Sequence, residues 1–62
     1  MIKLNRNYGF KNEKSEPIWI NPANISVIAN AENDLAKVII VDYGLIYVDE
    51  TVGQILEMIK ND

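Results

Sequence analysis

The sequence predicts a small α+β domain, in which an antiparallel sheet of four to five short strands carries one C-terminal helix packed on one face. Short apolar segments bounded by turn residues fill the first 48 positions, which is typical of short strands. The hydrophobic period changes near residue 50, where a capping box opens a helical pattern. The chain has 62 residues, so residues 1–62 are expected to form a single domain.

The first strand is expected at residues 1–5, where Ile2 and Leu4 alternate with polar residues. Alternation of this kind indicates a strand with one buried side. The polar residues 6–16 are expected to form a long loop or an extended hairpin connection.

The second strand is expected to begin at Pro17, because proline suits a first strand position or an outer edge, where no ladder hydrogen bond is lost. Ile18 and Ile20 share one face of this strand and leave Trp19 on the other. A turn at residues 21–24 should follow, since asparagine and proline are typical turn formers.

The third strand is expected at residues 25–29, with Ile25, Val27 and Ala29 on one side. Turn-forming residues at 30–34 then lead to the fourth strand. The period of two places these three apolar residues on the same face of the strand.

The fourth and fifth strands form a hairpin over residues 38–48 that reverses at Asp42, Tyr43 and Gly44. Gly44 is expected to supply the positive φ that such a turn requires. A strand with one solvated face alternates apolar with polar residues, and these two strands do not. Both faces of the hairpin are therefore expected to be covered.

The C-terminal segment is expected to be a helix. Thr51 and Gln54 have the spacing of a capping box, in which each side chain satisfies a free amide of the first turn. An apolar stripe, flanked by Met58, follows at helical spacing: Val52, Ile55, Leu56 and Ile59. A helix this short is unstable alone and must dock on the sheet. It covers one sheet face, and a second copy of the chain is expected to cover the other.

Composition narrows the function classes. Cysteine and histidine are absent, which excludes disulfides and the commonest transition-metal ligands, so oligomerisation is the expected source of added stability. The net charge is -3, which disfavours nucleic-acid binding, including that of an RNA-binding β-module. No apolar run approaches membrane-spanning length and no secretion signal is visible, so a cytoplasmic protein without a membrane span is expected.

No catalytic constellation can be assembled from the sequence. Serine and threonine occur only at Ser15, Ser26 and Thr51, without a histidine or cysteine to activate or replace them. The carboxylates of Asp42, Asp49 and Glu50 are interpreted as turn residues and partners of the helix N-terminus, in preference to an acid–base pair or a cation site. We therefore expect no enzyme, no cofactor and no metal site.

The candidate binding or interface residues are one arginine and five aromatic residues: Arg6, Tyr8, Phe10, Trp19, Tyr43 and Tyr47. A contact between subunits is the favoured interpretation, because tyrosine and tryptophan are enriched at interfaces. A small-molecule platform and ordinary surface are the alternatives. Four cations near the start of the chain are expected on a solvated edge strand and loop: Lys3, Arg6, Lys11 and Lys14.

Five short segments carry a family resemblance: Met1-Ile2-Lys3-Leu4, Gly9-Phe10, Ile18-x-Ile20-Asn21, Asn24-Ile25-x-x-Ile28 and Tyr47-Val48-x-Glu50-Thr51. With the terminal helix, their order resembles the small flagellar and swarming-motility protein family of bacteria. The chain departs from that family by a longer segment at residues 11–16, and by Tyr43-Gly44 in place of an Asn-Gly turn.

The resemblance implies a non-catalytic cytoplasmic accessory factor that supports flagellar or swarming motility. Such a protein would act through contacts with itself and with an unidentified protein partner. The alternative is a phage or mobile-element protein that inhibits a host protein or sequesters a small ligand, such as a nucleotide signal. Pockets between subunits lined by Arg6, Trp19 or Tyr43 would suit the sequestering function.

Overall fold

The computed structural model describes residues 1–8 and 14–62 and confirms the α+β class. The elements are β1 (Ile2–Asn7), β2 (Glu16–Ile20), β3 (Ile25–Asn30), β4 (Ala36–Ile40), β5 (Gly44–Val48) and α1 (Val52–Lys60). All paired strands are antiparallel, and their spatial order is β2-β1-β5-β4-β3. The edges of the sheet are therefore β2 and β3.

The sheet is strongly curled. Only residues 21–24 connect its two edge strands, and they include a 3-10 turn at Pro22–Asn24. In a flat sheet, four strand spacings would separate those edges by about 19 Å. The connection spans roughly 13 Å, because a 3-10 turn rises only about 2 Å per residue. The edges must approach each other, so the sheet has a concave and a convex face.

The concave face encloses the hydrophobic core. Leu4, Val38 and Val48 are fully buried there, on three different strands. Helix α1 contacts β1 and β3, and so closes the opening between the two sides of the curled sheet. The complete buried cluster is Ile2, Leu4, Ile20, Ala36, Val38, Ile40, Ile46, Val48 and Ile55.

The start of helix α1 confirms the predicted capping box. The Thr51 side chain accepts a hydrogen bond from the Gln54 amide at 3.1 Å, and the Gln54 side chain accepts one from the Thr51 amide at 2.8 Å. The predicted stripe is wrong at Leu56, which is exposed, whereas Met58 packs on the core. The stripe is centred on buried Ile55, and Leu56 points about 100° away from it around the helix axis.

The prediction that Ile25, Val27 and Ala29 lie on one side of β3 is also wrong. Ile25 pairs with Ile40 on the concave side, but the register shifts between Ile25 and Val27, so Val27 pairs with Ile39 on the convex side. A bulge adds one residue to a strand and reverses which side chains face the core. Ile28 therefore packs on the core in place of Val27.

The β4–β5 hairpin is confirmed, with a different boundary at its turn. Strand β4 ends at Ile40, and Val41 belongs to the reversal and not to the strand. Gly44 has the expected positive φ of 119°, and Asp42 also has a positive φ, 61°. Aspartate tolerates this left-handed conformation better than most residues, which fits its place in the turn.

Strand β1 is interior, which corrects its prediction as an edge strand. It lies between β2 and β5 and extends to Asn7, two residues beyond the predicted end. Lys11 and much of the predicted 6–16 loop lie outside the described residues. Within the described part of the chain, no helix has the length and apolar character that a membrane span requires.

Candidate functional site

The convex face carries a row of apolar side chains across three strands, exposed at both ends and half-buried at Ile39. Val27 is paired with Ile39, and Ile39 is paired with Leu45. Paired residues in antiparallel strands project from the same face, so these three side chains are neighbours. Val27 is 42% exposed and Leu45 is 44% exposed, although both lie within strands.

A second row lies beside the first and contains Tyr47. Ala29 pairs with Lys37, and Lys37 pairs with Tyr47. Tyr47 is 37% exposed. The aliphatic stem of a lysine can lie along apolar surface while its ammonium stays in water. We call the two rows together the convex patch: Val27, Ala29, Lys37, Ile39, Leu45 and Tyr47.

Trp19 also projects away from the core, as the sequence predicts. Its neighbours Ile18 and Ile20 pack on the concave side, while Trp19 is 58% exposed. Its cross-strand partner is Lys3, whose ammonium lies 5.8 Å from the indole ring centre. The contact is a cation–π interaction on a solvated surface, where such pairs contribute about 0.5–1 kcal/mol.

A polar cluster joins β1 to the chain that follows β5. Glu50 accepts hydrogen bonds from the Asn5 amide at 2.9 Å and from the Asn5 side chain at 2.8 Å. Asp49 accepts hydrogen bonds from Asn7, at 3.0 Å, and from the Ser15 hydroxyl. These two carboxylates therefore link the chain after β5 to β1 and to the residue before β2.

Three of the predicted site residues meet at the rim of the curled sheet. The Arg6 guanidinium carbon lies 4.6 Å from the centre of the Tyr8 ring and 5.9 Å from that of Tyr43. Arg6 also donates a hydrogen bond to the Tyr43 hydroxyl at 3.0 Å. We call Arg6, Tyr8 and Tyr43 the rim cluster. Phe10, another predicted member, lies outside the described residues.

Glu16 completes the surroundings of the rim cluster. It is the cross-strand partner of Arg6, yet its carboxylate accepts a hydrogen bond from the Tyr8 hydroxyl at 3.0 Å. That hydrogen bond raises the pKa of Tyr8 above its ordinary value, because the protonated phenol is the hydrogen-bond donor. The hydrogen bond directs the Glu16 carboxylate toward the Tyr8 hydroxyl.

A groove of about 550 Å³ lies beside β2 and is bordered by the β4–β5 turn. Trp19 and Tyr43 both line it, together with the apolar side chains of Ile18, Ile20 and Ile40. The structure thus relates Trp19 to Tyr43 through a shared groove, and relates Tyr43 to Arg6 through direct contact. Tyr47 lies apart from both, on the convex patch.

The sequence did not single out Ile39, Leu45 or Lys37 as surface residues, although the lack of alternation in the hairpin was a signal for the first two. Glu16 carried no local signal, because only strand pairing brings it to Arg6. Among the described residues, no group of three acidic side chains could hold a metal ion.

No family model, curated protein or solved structure matches this chain. The resemblance to the flagellar and swarming-motility family therefore stays a prediction from its sequence segments. The geometry of the convex patch and of the rim cluster is the basis for the functional proposals.

Proposed function

We propose that this protein is a non-catalytic, homo-oligomeric accessory protein that acts through protein contacts, with the convex patch as its self-association surface. The observation that carries the proposal is the row of Val27, Ile39 and Leu45 in the middle of three paired strands. Contiguous exposed apolar surface of this kind marks interaction sites in proteins that stay in solution.

The size of the molecule favours contact through this face. A stable interface takes about 800 Å² from each partner. The whole chain exposes 4226 Å², so such an interface would use about one fifth of its surface. The outer face of a five-stranded sheet is broad enough for this contact, and two convex patches can pack face to face as stacked sheets do.

A second copy is the natural occupant, because the patch has the composition of a homodimer contact. Its centre is apolar, Tyr47 adds a large side chain with a polar end, and Lys37 can extend its ammonium to the solvated border. The concave face needs no partner, since the curl of the sheet and α1 already cover it. The added burial would offset the small core of a 62-residue chain.

Sedimentation equilibrium tests this assembly with a matched pair of variants. Leu45 and Leu56 are similarly exposed leucines, but Leu56 lies on the outer side of α1. We expect the wild type and Leu56→Lys to associate at micromolar concentration and Leu45→Lys to sediment as a monomer. A monomeric wild type, or equal loss of association in both variants, would contradict the proposal.

The cellular role that we propose is support of flagellar or swarming motility in the cytoplasm, on the strength of the sequence resemblance. Swarming of a deletion strain of a flagellated host tests this role. We expect reduced swarming, restored by the wild-type gene and by Leu56→Lys but not by Leu45→Lys. Normal swarming of the deletion strain would count against the motility role and would leave the assembly proposal to sedimentation.

A further inference from the structure

We infer that the rim cluster is a binding site for a phosphate monoester attached to a planar ring, as in a nucleoside monophosphate. Arg6 would bind the phosphate, and the groove shared by Tyr43 and Trp19 would hold the ring. The inference is independent of the convex patch, since it uses different residues and does not require a second copy.

Arg6 forms no ion pair with a carboxylate among the described residues. Glu16 is the nearest candidate by strand register, but its hydrogen bond goes to the Tyr8 hydroxyl. The ion pair formed by described residues joins the terminal ammonium of Met1 to Asp62 and does not involve Arg6. Among the described residues, the Arg6 guanidinium therefore has no carboxylate within ion-pair distance, because the Glu16 carboxylate is bound to the Tyr8 hydroxyl.

The guanidinium is held in place, and among the described residues most of its donors have no hydrogen-bond acceptor. An arginine has five N–H donors, and Arg6 uses one of them on the Tyr43 hydroxyl. The Tyr8 ring, 4.6 Å from the guanidinium carbon, supports the cationic group from one side. A planar guanidinium that is already oriented can bind two phosphate oxygens at a reduced entropic cost.

Tyr43 connects this cation to a space for the rest of the ligand. It contacts Arg6 and also lines the groove with Trp19. The volume of about 550 Å³ lies within the range of small-molecule sites. Most residues that line the groove are aromatic or apolar, and Asp42 borders it next to Tyr43. The exposed side chains of Trp19 and Tyr43 can stack on a planar ring.

Titration of the full-length protein with adenosine monophosphate and with inorganic phosphate, followed by NMR, tests the site. We expect the amides of Tyr8 and Tyr43 to shift with both ligands, and the Trp19 indole to shift with the nucleotide alone. Tighter binding of the nucleotide is expected, because the groove contributes to it. The absence of shifts at millimolar ligand would overturn the site, and equal affinities would overturn the role of the groove.

Two charge-matched variants separate a specific site from general electrostatics. Arg6→Gln and Lys60→Gln each remove one positive charge, but Lys60 is an exposed residue at the end of α1 and belongs neither to the rim cluster nor to the groove lining. We expect Arg6→Gln to weaken nucleotide binding by at least about tenfold and Lys60→Gln by less than about threefold. Equal weakening would overturn the assignment to Arg6.

Arg6→Lys keeps the charge and removes the planar fork, so it should also weaken binding by about tenfold. Full affinity in this variant would overturn the proposed two-oxygen contact. The dispersion of the amide spectrum shows whether each variant is folded. Leu45→Lys should bind the nucleotide as the wild type does, so failure of the assembly proposal and failure of this site can be told apart.

Discussion

The two faces of the β4–β5 hairpin carry nearly the same residue types and have different surroundings. On the concave face, Val38 and Ile46 are cross-strand partners with almost no exposed surface. On the convex face, Ile39 and Leu45 are partners one position further along, and Leu45 is 44% exposed. The comparison shows that hydrophobicity alone does not tell a core face from a contact face.

The difference comes from what covers each face. The curled sheet and α1 enclose the concave face, so its side chains are fully removed from water. The convex face has no such cover among the described residues. Concave residues should therefore control folding of the single chain, and convex residues should control association.

The largest expected effect is on the free energy of unfolding, and it should distinguish two adjacent residues of β5, Ile46 and Leu45. Ile46→Ala should lower the free energy of unfolding by about 2–5 kcal/mol, because it leaves a cavity in the core. Leu45→Ala should lower it by less than about 1 kcal/mol at concentrations where the chain is monomeric. Urea denaturation at low and high protein concentration measures both.

The same experiment can contradict the assignment of different roles to the two faces. If Leu45→Ala is as destabilising as Ile46→Ala at low protein concentration, the convex patch belongs to the fold of the single chain. If Leu45→Ala matters only at high concentration, its effect is on association. Ile39→Ala should behave like Leu45→Ala, because the two side chains are cross-strand neighbours.

The second expected effect is a loss of stability when the polar cluster that joins β1 to the end of β5 is disrupted. Glu50→Ala should cost about 1–3 kcal/mol, because the backbone amide and side chain of Asn5 both lose their acceptor. Glu57→Ala is the control, since Glu57 is an exposed helix residue whose side chain bonds only Asn61 among described contacts. Thermal unfolding of the two variants should therefore differ clearly. Equal melting temperatures would contradict a structural role for Glu50.

The third expected effect is a loss of stability when the N-terminal cap of helix α1 is removed. Thr51→Ala removes the capping hydrogen bond to the Gln54 amide and should cost about 0.5–2 kcal/mol. Thr51→Ser keeps the hydroxyl and should retain most of the stability. Loss of stability in both variants, measured by urea denaturation, would show that the methyl group and not the cap is responsible.

Local sequence patterns predicted the parts of the fold that depend on local chemistry. The capping box at Thr51, the positive φ of Gly44 and the outward direction of Trp19 follow from rules that act over a few residues. The error at Leu56 is a matter of helix phase, whereas two other wrong predictions have long-range causes. The bulge that turns Val27 outward, and the place of β1 between two strands, depend on pairing with distant segments.

For the candidate site, too, the sequence indicated individual residues but not the contacts between distant segments. Residue type alone identified Arg6, Tyr8 and Tyr43, which the structure brings together. Their relation to Glu16 could not be predicted, because it depends on the register between β1 and β2. The role of Glu50 depends similarly on a contact with Asn5, which is 45 residues away in sequence.

The smallest expected effect is at the rim, where the concave face meets the surface. The hydrogen bond to Glu16 raises the pKa of Tyr8, so Glu16→Ala should lower that pKa toward its ordinary value. Because the pKa is raised in the folded state, the associated stabilisation is present below the unfolded pKa and is lost as pH rises through the folded pKa. NMR titration of the Tyr8 ring from neutral to alkaline pH, in the wild type and in Glu16→Ala, measures the change. An unchanged Tyr8 pKa in Glu16→Ala would show that Glu16 does not control this phenol, and would remove one reason for treating the Arg6 charge as unpaired.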